Sequence, residues 1–406
     1  MRRRPRRMSA SRPRGTAVIR SAEYRIPHRI PHRRRAGAAL TQDSTTRQRA
    51  GEMAEARSGA GESAGVDAPR TPILSVRDLR AAYHGPEGMI PAVRGISLDL
   101  YPGEVLALVG ESAAGKSSVA LATLGLLPST AEVSGSILYQ GESLLDLKGD
   151  DRRRVRGGEI AMIFQDAMAG LTPTLRVGEQ VAEIFLAHER LDPKAARAAA
   201  VEALRPLLPD AERIVDAYPF QLSGGMAQRV MVAMATALGP KIVIADEPTA
   251  NLDPAVRLET LNWLEDLRNR GAAVMLITHD FGVVARLADR VMVMYGGVVA
   301  EEADVFTIFR RPRHPYTYGL LSSLPGVMSG ARLTPMRGNP PDLATLGDEC
   351  AFLERCPKAM SQCRLDPSPP LVAAGPLPGS DAPSAPGHRV ACFNPMAVDL
   401  REGRDR

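Results

Sequence analysis

A chain of 406 residues, 44% hydrophobic and 24% charged, has room for two or three domains and a sizeable core. Its formal charge of +5 comes from one end. Residues 1–50 hold 15 Arg against Glu23 and Asp43, a net of +13, so the remaining chain carries −8. The basic balance therefore does not indicate a nucleic-acid-binding surface on the folded part, and no nucleic-acid partner is expected. No run of about 18 apolar residues occurs, which excludes a membrane-spanning helix.

Residues 1–70, rich in Arg, Ser, Gly and Pro and without apolar periodicity, are expected to be a disordered extension. An Arg-rich targeting segment or an anionic-lipid anchor is one reading. Upstream sequence ahead of a start at Met53 is the preferred one. Met1–Arg35 lacks the apolar stretch of a secretory signal. Beyond it, Ile73–Leu79 and Ile96–Leu100 alternate polar and apolar residues, as strands do, and Pro102-Gly103 makes a turn.

Val105–Val109 is a continuous apolar run of the kind buried on both faces of a parallel sheet, and Lys241–Ala245, Ala273–Ile277 and Val291–Met294 repeat it. Helical stretches separate these runs, so an α/β core is expected. Between about 167 and 238 the strand pattern disappears and Val177–Glu189 and Pro193–Leu208 show helical spacing, which predicts an inserted helical subdomain. The expected boundaries are an α/β domain over 71–325 and a small Cys-rich domain over 326–406.

Gly110-Glu111-Ser112-Ala113-Ala114-Gly115-Lys116-Ser117 follows a buried strand and opens a helix, which is the setting a phosphate-binding loop requires. Backbone N–H groups over residues 110–118, Ser118 included, offer an anion site, and Lys116 adds a positive charge. The Ser117 hydroxyl suits Mg²⁺. Ala113 and Ala114 stand where small residues, often glycine, are usual, and a Cβ at Ala113 disfavours a positive φ, so binding is expected to survive with lowered affinity. Asp246 and Glu247 end an apolar strand. Asp246 is placed to hold Mg²⁺ and Glu247 to polarise an attacking water.

These motifs, in this order, resemble those of ABC-transporter ATP-binding subunits. The resemblance covers about 73–330 and implies a P-loop NTPase fold of the ABC type. It implies that Tyr83 stacks on adenine. It gives Gln165, in Ile163-Phe164-Gln165-Asp166, a contact with Mg²⁺ and with the transmembrane partner. Leu222-Ser223-Gly224-Gly225-Met226-Ala227-Gln228 matches the signature heptad. Asp253, in Asn251-Leu252-Asp253, falls in the dimer-seam loop, and His279 matches the switch histidine at the γ-phosphate. Lys116, Gln165, Glu247 and His279 form the implied catalytic set. A second helix N-terminus aimed at a phosphate needs a second nucleotide. The resemblance therefore implies that Ser223, Gly224, Gly225 and Gln228 act on ATP held by a second ATPase subunit.

Met162–Asp166, Tyr218-Pro219, Arg313-His314-Pro315-Tyr316-Thr317 and Gly387–Cys392 further resemble ATPases of the peptide/nickel importer group. Ala167, Thr172-Pro173 and Ala250-Asn251 depart from its usual residues. The group implies two permease subunits, an extracytoplasmic solute-binding protein, and a peripheral position on the cytoplasmic face of the inner membrane. The solute is then a peptide, with a nickel chelate or another solute as the alternative. Soluble ABC ATPases and exporters fit less well, because one cassette stands here without a coiled coil or membrane helices.

All four cysteines lie in the tail, as Cys350-x5-Cys356-x6-Cys363-x28-Cys392. Four thiolates hold either tetrahedral Zn²⁺ or an iron–sulfur cluster, and this spacing alone does not choose between them. The resemblance to oligopeptide/dipeptide importer ATPases implies a [4Fe–4S] cluster, with Zn²⁺ as runner-up.

Overall fold

The computed structural model describes residues 70–86, 88–324, 336–377 and 384–400, all within one compact unit that spans Gly65–Arg406. Apart from Arg70, the Arg-rich extension expected over 1–70 lies outside the described residues. Among these residues the strands in chain order are β1 (Leu74–Gly85), β2 (Gly88–Leu100), β3 (Val105–Val109), β4 (Glu132–Tyr139), β5 (Glu142–Ser143) and β6 (Ile160–Ile163). They continue with β7 (Ile242–Asp246), β8 (Ala273–Thr278), β9 (Arg290–Tyr295), β10 (Val298–Asp304), β11 (Val372–Ala373) and β12 (Arg389–Val390).

Two sheets result. The first is antiparallel, in the order β2-β1-β4-β5. Its alternation has a direct cause: Leu74, Val76 and Leu79 on β1 and Ile96, Leu98 and Leu100 on β2 face the core, while their neighbours face outward. The second sheet runs β11-β12-β10-β9-β3-β8-β7-β6, and β6, β7, β8, β3 and β9 are parallel. Every residue of β3, β7 and β8 is buried, as expected for strands covered on both faces.

The register brings the carboxyl ends of the parallel strands together, with Val109 beside Thr278, Asp246 beside Ile277 and Ile163 beside Ala245. The segments beginning Gly110, Glu247, His279 and Phe164 therefore leave the sheet along one edge, where open α/β sheets place their ligands.

Between β6 and β7 the chain is helical among the described residues, as its periodicity predicts. Val177–His188, Pro193–Leu204 and Gly224–Thr236 bury Val181, Phe185, Ala196, Ala200, Leu204 and Val230 against one another. The second of these helices starts at Pro193 behind Asp192, whose carboxylate accepts from the N–H groups of Lys194 and Ala195.

The tail is joined to the core. β12 pairs with β10, Glu301 facing Val390, and so extends the large sheet. Phe352 packs 5.2 Å from the Tyr295 ring and 5.4 Å from the Tyr316 ring. Glu301, wholly buried, accepts from the backbone N–H of Arg313 at 2.6 Å and of His314 at 2.9 Å, and lies 2.8 Å from His388 Nε2. The composition shift near residue 326 marks a change of sequence character, whereas the described residues beyond it share a core with the sheet.

Candidate functional site

The phosphate loop turns between β3 and the helix Lys116–Thr123. Gly110 and Gly115 have φ of 153° and 92°. A Cβ on either would lie 2.2 Å from a carbonyl oxygen, that of Met294 or that of Ala92. Both positions thus require glycine for conformation and for space. Ala113 takes φ of 64°, the left-handed conformation the sequence makes unfavourable, and Ala114 is buried.

Lys116 is only 8% exposed. Its Nζ donates to the carbonyls of Gly110 at 2.8 Å and Glu111 at 2.9 Å. Burial lowers its pKa, while the carboxylates of Glu247, Asp246 and Glu111 act to raise it. The helix has no side-chain cap at Gly115, so its first N–H groups stay available to an anion. Ser112 and Ser117 are exposed. Tyr83 is half-buried, with its hydroxyl 2.9 Å from Ser118 Oγ, so it stands over the start of this helix.

Asp246 closes β7 and is buried. Its Oδ1 has no hydrogen-bond partner, and its carboxylate hydrogen-bonds the Ser117 side chain. Burial raises its pKa. A buried carboxylate oxygen without a partner, beside a hydroxyl and a phosphate loop, suits a hard cation such as Mg²⁺.

Glu247 has φ of 46°, a left-handed conformation that costs energy in any residue with a Cβ. Its Oε2 accepts from Thr278 Oγ1 at 3.1 Å, and its Oε1 accepts from the His279 N–H at 3.1 Å and lies 2.7 Å from His279 Nδ1. Thr278 stands inside a motif the sequence singles out for its histidine alone. A hydroxyl one residue before that histidine was the available signal.

The other predicted residues are more dispersed. Gln165 is exposed two residues beyond β6, on the strand edge next to β7. Ser223 and Gly224 are exposed, and Ser223 caps the helix Gly224–Thr236 by accepting from the Met226 N–H at 3.3 Å. Gly225 is half-buried against Val256. Gln228 turns inward: it is 4% exposed and donates to the Pro248 carbonyl at 3.1 Å, tying the signature helix to the segment after Glu247 within one chain. Asp253 caps the helix Pro254–Asn269, its Oδ1 accepting from the N–H groups of Ala255 and Val256, each at 3.1 Å.

Two contacts had no sequence signal. Arg355 pairs with Glu111, and the Tyr316 hydroxyl accepts from the Glu111 N–H at 2.8 Å.

The four cysteines are free thiols and line one pocket with His314, Phe352, Leu353 and Phe393. Backbone N–H groups point at the sulfurs, those of Phe352 and Leu353 at Cys350, that of Lys358 at Cys356 and that of Asn394 at Cys392. Burial raises the thiol pKa of Cys350 and Cys356, and pushes that of Cys392 up to about 11. Yet among the described residues no three His, Cys, Asp or Glu side chains are grouped so as to hold a metal ion. The expected metal site is thus represented by a shared pocket, without a formed single-ion arrangement.

The profile of the ABC transporter family matches residues 93–250, and that of the oligopeptide/dipeptide transporter C-terminal region matches residues 300–363. The chain is 44% identical over 340 residues to the oligopeptide transport ATP-binding protein OppD of Mycobacterium tuberculosis. That match takes in 82% of this chain and 54% of the mycobacterial protein, so the chain spans about half the length of that relative. It is 45% identical over 296 residues to the dipeptide transport ATP-binding protein DppD of Bacillus subtilis, covering 72% of this chain and 88% of that one. The dimeric structure of MJ0796, a bacterial ABC transporter cassette, superimposes with a TM-score of 0.51 at 28% identity, over 57% of this chain and 98% of the cassette. Identity at this level, across most of a relative's length, decides the assignment: the chain belongs to the family of ABC transporter ATP-binding proteins that carry the oligopeptide/dipeptide C-terminal region.

Proposed function

We propose that this chain hydrolyses ATP to drive import of peptides through an ABC transporter. The observation that carries the reading is the strained Glu247, held by Thr278 and His279 at the strand edge that also bears the phosphate loop and the partnerless oxygen of Asp246. The peptide assignment draws on relatives named for oligopeptide and dipeptide transport.

In this reading the N–H groups of the 110–118 loop and helix receive the phosphates, and Lys116 exchanges its two loop carbonyls for phosphate oxygens. Ser117, Asp246 and Gln165 would hold Mg²⁺, which would supply positive charge to the phosphates. Glu247 orients the attacking water and accepts its proton, and His279, 71% exposed and already against Glu247, faces the γ-phosphate. Tyr83 packs on adenine. Ser223, Gly224 and Gly225 present the N-terminus of a 13-residue helix to ATP held by a partner ATPase subunit, with Asp253 at the seam.

The assembly comprises that second subunit, two permease subunits and an extracytoplasmic solute-binding protein, with this chain peripheral on the cytoplasmic face. Among the described residues no helix is long and apolar enough to cross a membrane.

Two assays test this. The purified chain should release phosphate from ATP, and Lys116→Ala should abolish the release. Cells lacking the chain should lose uptake of labelled di- and oligopeptides; unaffected peptide uptake with impaired nickel uptake would replace the solute assignment.

For the tail, we propose that Cys350, Cys356, Cys363 and Cys392 hold a [4Fe–4S] cluster with a structural role. Support comes from their shared pocket and the N–H donors aimed at three of the sulfurs. Protein purified without oxygen should be brown and contain iron and sulfide; colourless protein containing zinc would refute the cluster.

A further inference from the structure

We propose that Arg355 is a positioning residue for nucleotide binding: it neutralises Glu111 in the phosphate loop and fastens that loop to the cysteine-bearing tail. This rests on the reading of the loop as the ATP site. Glu111 is the second residue of that loop. An unpaired carboxylate there would repel the phosphates the loop receives and pull Lys116 away from them.

Arg355 answers both problems. Its Nη1 and Nη2 grip the two carboxylate oxygens of Glu111 at 2.7 and 3.0 Å, a bidentate pair. The Arg355 side chain is 6% exposed and that of Glu111 25%, so solvent screens the pair less than a surface one. The guanidinium is itself held in place. Nη1 donates to the Tyr295 hydroxyl at 3.1 Å and Nε to the Arg337 carbonyl at 2.9 Å, and its carbon lies 5.7 Å from the Tyr295 ring and 5.9 Å from the Phe352 ring.

The backbone of Glu111 is anchored as well, by the buried Tyr316 hydroxyl. Arg355 ends the short turn Leu353–Arg355, which lies between Cys350 and Cys356 and is closed by Leu353 N–H to Cys350 carbonyl and Cys356 N–H to Leu353 carbonyl bonds. The same turn thus serves the cysteine pocket and the phosphate loop.

The test is the affinity of the full chain for MgATP by titration calorimetry, together with steady-state kinetics and thermal unfolding. Arg355→Met should weaken binding about tenfold, the loss expected for a charge-assisted hydrogen-bonded pair. KM should rise in step while kcat holds. Adding Glu111→Gln to Arg355→Met should recover much of the affinity, because the uncompensated carboxylate is then gone. Arg355→Lys, which keeps the charge and loses the fork, should show a smaller loss, and it carries the test if the Met variant does not fold.

Wild-type affinity in both Arg355 variants would overturn the proposal, as would a double variant weaker than Arg355→Met alone. Undiminished MgATP binding by Lys116→Ala would instead overturn the underlying reading of the site.

Discussion

The Nδ1 of His279 stands 2.7 Å from Oε1 of Glu247, and the His279 backbone N–H donates to the same oxygen at 3.1 Å. The parallel register of β7 and β8, Asp246 beside Ile277, creates this contact by carrying both residues off the sheet at one level. Glu247 is thereby aimed by its neighbours, and its positive φ is the local cost of that placement. Replacing Glu247 by Gln keeps the size and removes the proposed base. We expect ATP binding to persist and phosphate release to fall by at least about 10²-fold. His279→Ala leaves the Thr278 and backbone donors on Glu247, so we expect a smaller fall at similar affinity. Single-turnover hydrolysis alongside equilibrium nucleotide binding separates these effects; release by Glu247→Gln near the wild-type rate would exclude the assigned base.

Ala113 occupies the left-handed region at φ 64°. For a residue with a Cβ this costs roughly 1–2 kcal/mol, part of which glycine returns as greater freedom of the unfolded chain. Ala113→Gly should therefore raise stability by about 0.5–1 kcal/mol. It should also tighten nucleotide binding, because the loop no longer resists its bound shape. Denaturant unfolding and nucleotide titration check the two halves separately.

Gln228 and Ser223, although members of one heptad, should behave differently. Gln228 is buried and satisfies the Pro248 carbonyl, so Gln228→Ala should destabilise the chain by about 1–3 kcal/mol in denaturant unfolding without any partner present. Ser223 is an exposed cap. Ser223→Ala should cost only about 1 kcal/mol as the isolated chain and, if the proposed pairing with a second ATPase subunit holds, show its larger effect in turnover by that pair.

His314 is fully buried, and its Nδ1 accepts from the Tyr316 N–H at 3.1 Å, so it caps the helix Pro315–Ser322 in its neutral form. Burial pulls its pKa from 6.5 to about 4, against the opposing charge of Glu301. The unfolded chain therefore binds a proton between these values that the folded chain refuses. Its contribution is whole above pH 6.5 and declines as pH falls toward about 4, by a total on the order of 3 kcal/mol. His314→Asn keeps a capping oxygen and does not titrate. It should flatten this part of the curve of unfolding free energy against pH.

Most of the proposed nucleotide site can be placed from the sequence because its motifs are local. A buried apolar run, a glycine-framed loop and a helix start are contiguous in Val105–Thr123, and Asp246, Glu247 and His279 each follow an apolar strand directly. The inward turn of Gln228 was hidden, since the motif gives the residue type and only packing gives its direction. The helices near Val177 and Pro193 were visible from periodicity; the first ends at His188, one residue before its expected end, and the second at Leu204, about one turn before its own.

By itself the amino-acid sequence determined the parallel core, the phosphate loop, the order of the site residues and the concentration of cysteine in the tail, all of which follow from residue type and short spacing. Only the tertiary structure decided that Arg355 reaches Glu111 across 244 residues, that β12 joins β10, and that the four thiols share one pocket. Such contacts depend on which faces and edges remain to be covered once the sheets have formed, and no local pattern encodes that choice.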